Sequence, residues 1–236
     1  MRLFRSFAYG LPVVLALLIS TAPAFAQSSH LTLERFRSAN EAYGNQDFGR
    51  AYLNWKLLAE VGHAKSQANL GLLYLCGKGV EKDVDRAVQW MERAATQGIV
   101  SAQFTLGFLY STTKHGQLDP SRSIHWYLAA ARQGHPQASL NLARAYEKGV
   151  RVKASSVEAL RWLIAASKID KSEKLQGKFV EFEQELRAKL SEESIAKAVE
   201  LAECCSRGET VASGSAAKNP GRQSAGRRSE LRWMSW

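Results

Sequence analysis

The sequence predicts an all-α fold, a stacked array of helix pairs, and three observations carry that prediction. Residues of one kind recur at a constant interval of 36 positions: Asp47, Asp83, Asp119 and Ser155; Gly62, Gly98 and Gly134; Leu70, Leu106 and Leu142; Tyr74, Tyr110 and Tyr146. Four columns sharing one period in this range mark a repeated supersecondary unit that buries its core by stacking on its neighbours. Each unit opens on Asp or Ser, whose side-chain oxygen accepts a bond from the unpaired amides of a helix's first turn. A glycine then falls fifteen positions later, where a left-handed residue ends one helix and turns the chain into the next.

Taken in order, residues 1–26 read as a secretory signal. Arg2 and Arg5 supply the positive start, Leu11 to Ile19 the apolar run, and Ala24, Phe25 and Ala26 the small-x-small pattern before Gln27. The apolar core, bracketed by Pro12 and Pro23, is shorter than the ~20 residues a spanning helix needs. Residues 27–46 predict a capping helix, with Leu33, Phe36, Ala39, Ala42 and Tyr43 at helical spacing until Gly44, Asn45 and Gln46 break it. Terminal units of a solenoid need one polar face, which suits a helix of this kind.

Residues 47–170 predict the solenoid proper. In the unit from 83 to 110, Ala87, Trp90, Met91, Ala94 and Ala95 share one helical face, and Ala102, Leu106, Gly107 and Tyr110 of the second helix meet it. Pro120 follows Asp119 at the first helical position, where a missing amide costs nothing. Ser155 and Glu158 have capping-box spacing. Between units run Cys76, Gly77, Lys78, Gly79 and Val80, and later Glu147, Lys148, Gly149 and Val150; each valine is expected to return to the core as a plug. The connector 111–118 holds only Gly116 and is expected to be looser. In the fourth unit Ala159, Trp162 and Ala166 are in register, but no Gly turn follows. Residues 171–205 instead predict two capping helices, and 206–236, rich in Gly, Ser, Ala and Arg without periodicity, predict a disordered basic tail.

Charge narrows the function classes. The chain carries 32 basic and 22 acidic residues, and Arg2 and Arg5 belong to the signal. Much of the remaining excess lies in the tail, with Arg207, Lys218, Arg222, Arg227, Arg228 and Arg232 against Glu209 and Glu230. The body has an ordinary soluble surface, so the composition does not point to nucleic acid. Three cysteines, Cys76, Cys204 and Cys205, leave at least one thiol free or bonded to another molecule, and an intramolecular bridge from Cys76 would require the array to curl back.

The residues Ala87, Trp90, Ala94, Ala95, Gly98, Ala102, Leu106, Gly107 and Tyr110, with Gly77, Gly79, Val80 and Asp83 at the junction, resemble the Sel1-like repeat family, a relative of tetratricopeptide repeats. The tetratricopeptide period is 34 with a proline near the unit's end; here the period is 36 and the connector is Gly-rich. The resemblance covers residues 47 to about 167 and implies a right-handed α/α solenoid with capping helices at both ends. It also implies a non-enzymatic adaptor that binds another protein along its concave face and, for an exported bacterial member, a role in envelope signalling. Ala143 departs from the second-helix Gly column, and Trp55 is displaced by one position, with Asn54 in the Trp column. Some exported relatives carry a disulfide in each repeat, an arrangement these cysteines do not follow.

Candidate protein-binding residues stand on the polar side of the first helices. Arg50, Arg86 and Arg122 are 36 apart, and Gln89, His125 and Arg161 form a neighbouring column. Stacking would align them into a ribbon able to pair with a partner's carboxylates. Arginine in a first turn opposes the helix dipole, so local helix stability does not account for it. The competing reading is that the family pattern often has a basic residue here, serving as a solvated face or pairing with acids of the adjacent unit. No cofactor or metal is expected: the histidines form no ligand set, His63 and His135 sit in equivalent turns with Ile99 between them, and no catalytic motif appears. The alternative function is attachment to cell wall or anionic lipid through the basic tail, and the expected location is periplasmic or secreted.

Overall fold

The computed structural model describes residues 29–113, 118–169 and 173–206, and among the described residues there are ten α-helices and no strand. In chain order these are α1 (29–44), α2 (Phe48–Glu60), α3 (Ala64–Cys76), α4 (Val84–Thr96), α5 (Val100–Tyr110), α6 (Pro120–Arg132), α7 (Pro136–Lys148), α8 (Ser156–Ile169), α9 (Glu173–Ala188) and α10 (Glu192–Ser206). From α2 to α9 each helix packs on its neighbours in the chain, and α10 returns to α8. That succession makes a solenoid. The signal expected at 1–26, the expected tail beyond 206, Gly116, and the side chains of Cys204 and Cys205 lie outside the described residues. Cys76 is a free, exposed thiol.

The capping column works at all four positions. Asp47 accepts the amide of Arg50, Asp83 that of Arg86, Asp119 those of Ser121 and Arg122, and Ser155 that of Glu158, at 2.8 to 3.2 Å. From the second unit on, the cap's own amide is bonded to the tyrosine carbonyl nine residues earlier: Asp83 to Tyr74, Asp119 to Tyr110, Ser155 to Tyr146. This bond closes each connector. It also leaves the expected capping box half-made, because the Ser155 amide is taken and Glu158 turns instead to Arg161 at 3.3 Å. The turn column holds too, with Gly62, Gly98 and Gly134 at φ between 83° and 92°.

Small residues set the distance between units. Ala51, Ala87, Ser123 and Ala159 on the first helices, and Gly71, Gly107 and Ala143 on the second, are all buried. A Cβ built on Gly107 would lie 2.5 Å from Cδ1 of Tyr127, and one on Gly71 would lie 2.9 Å from Cγ of Met91. Backbone and side chain therefore touch where a Cβ would stand, and Ser123 donates to the Gly107 carbonyl at 2.8 Å across the same contact. At the C-terminal end Phe179, Leu186, Ala198 and Ala202 are fully buried with Trp162 and Leu163, so α9 and α10 complete the last core.

A second expectation fails. Val80 packs against the core, but Val150 is exposed. Gly77 and Gly149 occupy the same left-handed cap at φ 68°, which aligns Val150 with Lys78 and Val152 with Val80. By register, half-buried Val152 and not Val150 stands in the Val80 position of the third connector. Val150 instead edges a groove of about 330 Å³ with Phe108, Tyr127, Asn141 and Arg144.

Candidate functional site

The 36-residue period puts equivalent positions of α2, α4, α6 and α8 into one grid. One row holds Leu53, Gln89, His125 and Arg161, the next Leu57, Arg93, Ala129 and Ala165, and the third Val61, Gln97, Gln133 and Ile169. Arg50, Arg86 and Arg122 stand one turn earlier. Five of the six predicted residues, Arg50, Arg86, Gln89, Arg122 and His125, are exposed; Arg161 is half-buried.

The arginines differ in what holds them. Arg86 lies over the Tyr74 ring at 5.8 Å and pairs with its own cap Asp83 at 3.2 Å. Arg122 lies over Tyr110 at 5.4 Å, donates to the Tyr110 hydroxyl at 3.0 Å and stands 3.6 Å from both Asp119 and Glu92. The Tyr110 hydroxyl in turn donates to Glu92 at 2.8 Å, and burial followed by that bond raises its pKa. Each of these arginines therefore clamps its unit onto the tyrosine of the one before, and of the acids they pair with only Glu92 belongs to the adjacent unit. The side chains of Arg86 and Arg122 nonetheless stay 62% and 60% exposed, against 14% for Arg161. Pairs this open contribute little to stability and exchange readily with outside carboxylates. Arg50 makes no ion pair among the described residues.

Below the grid runs a tryptophan column. The Arg93 guanidinium lies 4.5 Å from the Trp90 ring, His125 meets Trp126 edge-on at 4.9 Å, and Arg161 lies 4.6 Å from Trp162. Within the first unit the hydroxyls of Tyr52 and Tyr74 are bonded at 3.1 Å, which with burial pushes Tyr52 up to about 12.

Two polar devices escaped the sequence reading. His63 and His135 are helix caps, not merely turn residues: their Nδ1 atoms accept the amides of Ser66 and Ala138 at 3.3 Å. Burial lowers both imidazoles, Lys65 adding to the effect at His63, and the neutral ring is the form that can accept. Ile99 occupies the same position with no side-chain bond. The second device is a glutamine relay. Gln97 donates to Gln67 at 2.7 Å and Gln67 to the Ala59 carbonyl at 3.1 Å; one unit on, Gln133 donates to Gln103 at 2.8 Å and Gln103 to Ala95 at 3.0 Å. The signal was available as two further columns at 36, Gln67/Gln103 and Gln97/Gln133.

Among the described residues no group of His, Cys, Asp and Glu could hold a metal ion, and no helix is long and apolar enough to cross a membrane. What the face offers is recognition: exposed cations seated on aromatic rings, bordered by apolar side chains on α2.

Comparison with known proteins places this geometry. The Sel1 repeat model matches residues 64–99, 100–135 and 136–170, each match running from a second helix through the following first helix. A Sel1 repeat protein from Oxalobacter formigenes is similar in structure at a TM-score of 0.55 and 28% identity, covering 58% of this chain and 56% of that one. A protective antigen present in uropathogenic Escherichia coli strains, displaying an SLR fold, is similar at a TM-score of 0.43 and 22% identity, covering 84% of this chain and 52% of that one. The chain thus spans about half the length of these solved structures. No curated protein matches it.

Proposed function

Because residues 64–170 are three Sel1 repeats, we propose that this chain is a non-enzymatic scaffold holding another protein against the face of its first helices. Sel1 repeats generally mediate protein–protein interaction. The observation that carries the reading for this chain is the grid itself, whose exposed members, Gln89 and His125 among them, serve neither core nor caps. The signal-like pattern of residues 1–26 supports a place for the scaffold in the bacterial cell envelope, periplasmic or secreted, and the resemblance to exported Sel1-like proteins supports a part in envelope signalling or assembly. Cleavage before Gln27 is the expected outcome, and an intact N-terminus on protein recovered outside the cytoplasm would argue against it.

The binding face is tested by placing a photo-crosslinking residue at Gln89 or His125, and at exposed Ser101 on α5 as control. Crosslinks to one identified protein from the first two positions and not the third are expected. Equal yields from all three would sink the assignment. A second reading, attachment to cell wall or anionic lipid through residues 206–236, is supported by six basic residues there against two acids. Deleting that segment should leave the crosslinks intact if the first reading holds and abolish envelope retention if the second does.

A further inference from the structure

The first helix of the array carries an exposed apolar ridge that its neighbour α4 replaces with polar residues, whereas α8 exposes only Ile169 in the same rows. Leu53, Leu57 and Val61 follow one another at intervals of four along α2 and are 61%, 49% and 77% exposed. They form a ridge about 12 Å long. The core does not need it, since α2 buries Ala51, Trp55, Leu58 and Ala59 on another side. Nor does α1 cover it, although α1 lies against α2 through Ala39 and Ala42. The same rows on α4 read Gln89, Arg93 and Gln97, which is what a solvated face of a solenoid requires, and a terminal unit should be still more polar.

Charge says what sort of surface covers the ridge. Two cations border it, Arg50 one turn before Leu53 and Arg93 in the row of Leu57 on the adjoining first helix. Neither makes an ion pair among the described residues, and Arg93 is held instead over the Trp90 ring. This separates them from Arg86 and Arg122, which are paired to their own caps. Of the acids at the two ends of α2, Asp47 accepts the Arg50 amide as the helix cap and Glu60 is 4.0 Å from Lys56. The unmatched charge beside the ridge is therefore positive.

We propose that the α2 ridge, with Arg50 and Arg93, is the docking site for an acidic amphipathic helix of the partner protein; this rests on the scaffold reading and narrows it to one end of the face. An amphipathic helix presents apolar side chains once per turn, the spacing of Leu53, Leu57 and Val61, and seats in the groove between two helices. Carboxylates on its flanks then meet Arg50 and Arg93, where desolvation beside Trp90 strengthens the contact.

The probes are two synthetic helical peptides of three to four turns, both with Leu once per turn on one face, one with Glu and the other with Lys on the flanks. Binding to the full chain is read by amide chemical shifts and by anisotropy. The acidic peptide is expected to shift residues 50–61 and Arg93 and to bind at least about tenfold tighter than its basic twin. Leu57→Glu and Arg93→Glu, both at surface positions, are each expected to weaken it about tenfold or more with the helical melt unchanged. Shifts located elsewhere, equal binding of the twins, or no binding by either overturns the proposal. So does sedimentation showing a dimer that Leu57→Glu dissolves, since the occupant is then a second copy, or protection of the ridge only while residues 1–28 are present. If Leu57→Glu and Arg93→Glu leave the Gln89 and His125 crosslinks to the natural partner unchanged, the ridge assignment falls while the scaffold reading stands.

Discussion

Gly107→Ala separates packing from helix propensity, because the two predict opposite signs. Mid-helix, replacing Gly by Ala stabilises by about 1 kcal/mol on propensity alone. At Gly107 the new Cβ would lie 2.5 Å from Cδ1 and 2.7 Å from Cε1 of Tyr127, where ordinary contact begins at 3.4 Å. The ring must move by most of an ångström, and it is buried beneath α5 with burial raising its hydroxyl pKa. Overpacking of this size costs about 1–3 kcal/mol, so a net loss of about 1 kcal/mol is expected. The third unit has already solved the problem: Ala143 stands in the Gly107 column and Leu163 in the Tyr127 column. Adding Tyr127→Leu to Gly107→Ala should therefore recover about 1 kcal/mol or more relative to the sum of the singles. Urea unfolding followed by tryptophan fluorescence gives the cycle. Gly71→Ala is the internal control: its nearest contact is the flexible Met91 at 2.9 Å, with the Ala87 carbonyl at 3.1 Å, so it should cost less than the change against the Tyr127 ring. A rise in midpoint for Gly107→Ala, or a coupling within about 0.3 kcal/mol of zero, refutes the contact as the determinant of unit spacing.

Acid should loosen α3 and α7 first. Burial holds His63 and His135 below the usual 6.5, so on acidification the unfolded chain takes up protons that the folded one resists; the caps' contribution is complete above pH 6.5 and is lost as pH falls through the lowered folded-state values. Melting temperatures measured from about pH 7.5 to about pH 5 should fall, and His63→Asn with His135→Asn, which keeps the caps without the titration, should flatten the profile. Asp119→Ala removes the acceptor of two amides and should cost about 1–2 kcal/mol in urea unfolding, whereas Arg122→Gln should cost less than about 1 kcal/mol because its pairs are open to water. Gln103→Leu should cost about 1 kcal/mol, with hydrogen exchange accelerated at α5 and the end of α4; unchanged exchange at both would show that the relay carries no stability.

The sequence told most about the places where a residue acts on its own neighbourhood. Asp47, Asp83 and Asp119 cap helices within three residues of themselves, and Gly98 turns the chain where it stands, so type and spacing sufficed. His63 and His135 were equally local and still escaped, since histidine is a rare cap and the column is interrupted by Ile99. Glu158 was misassigned because its expected partner, the Ser155 amide, is claimed by Tyr146 from the preceding unit. Val150 was misplaced by a dipeptide that matched while the register did not. On the candidate face, columns located Arg86 and Arg122 but could not reveal that the tyrosines and acids around them were already engaged. The α2 ridge was visible as apolar residues at helical spacing. Its meaning was not, because only the packed structure shows that Trp55 and Leu58 fill the core and leave Leu53, Leu57 and Val61 outside.

The glutamine relay bears on how such an array lengthens. Each link joins a residue at the end of one unit's first helix to a residue near the start of the preceding second helix, 30 positions earlier. A tandem copy of residues 64–99 therefore carries both a socket, Gln67, and a plug, Gln97, and would splice between its neighbours with every link restored. The link between the third and fourth units is missing, with Ser139 of α7 where the socket belongs and Ile169 of α8 where the plug belongs. Growth by duplication is thus open within the array and closed at its C-terminal end, where α9 and α10 seal the stack.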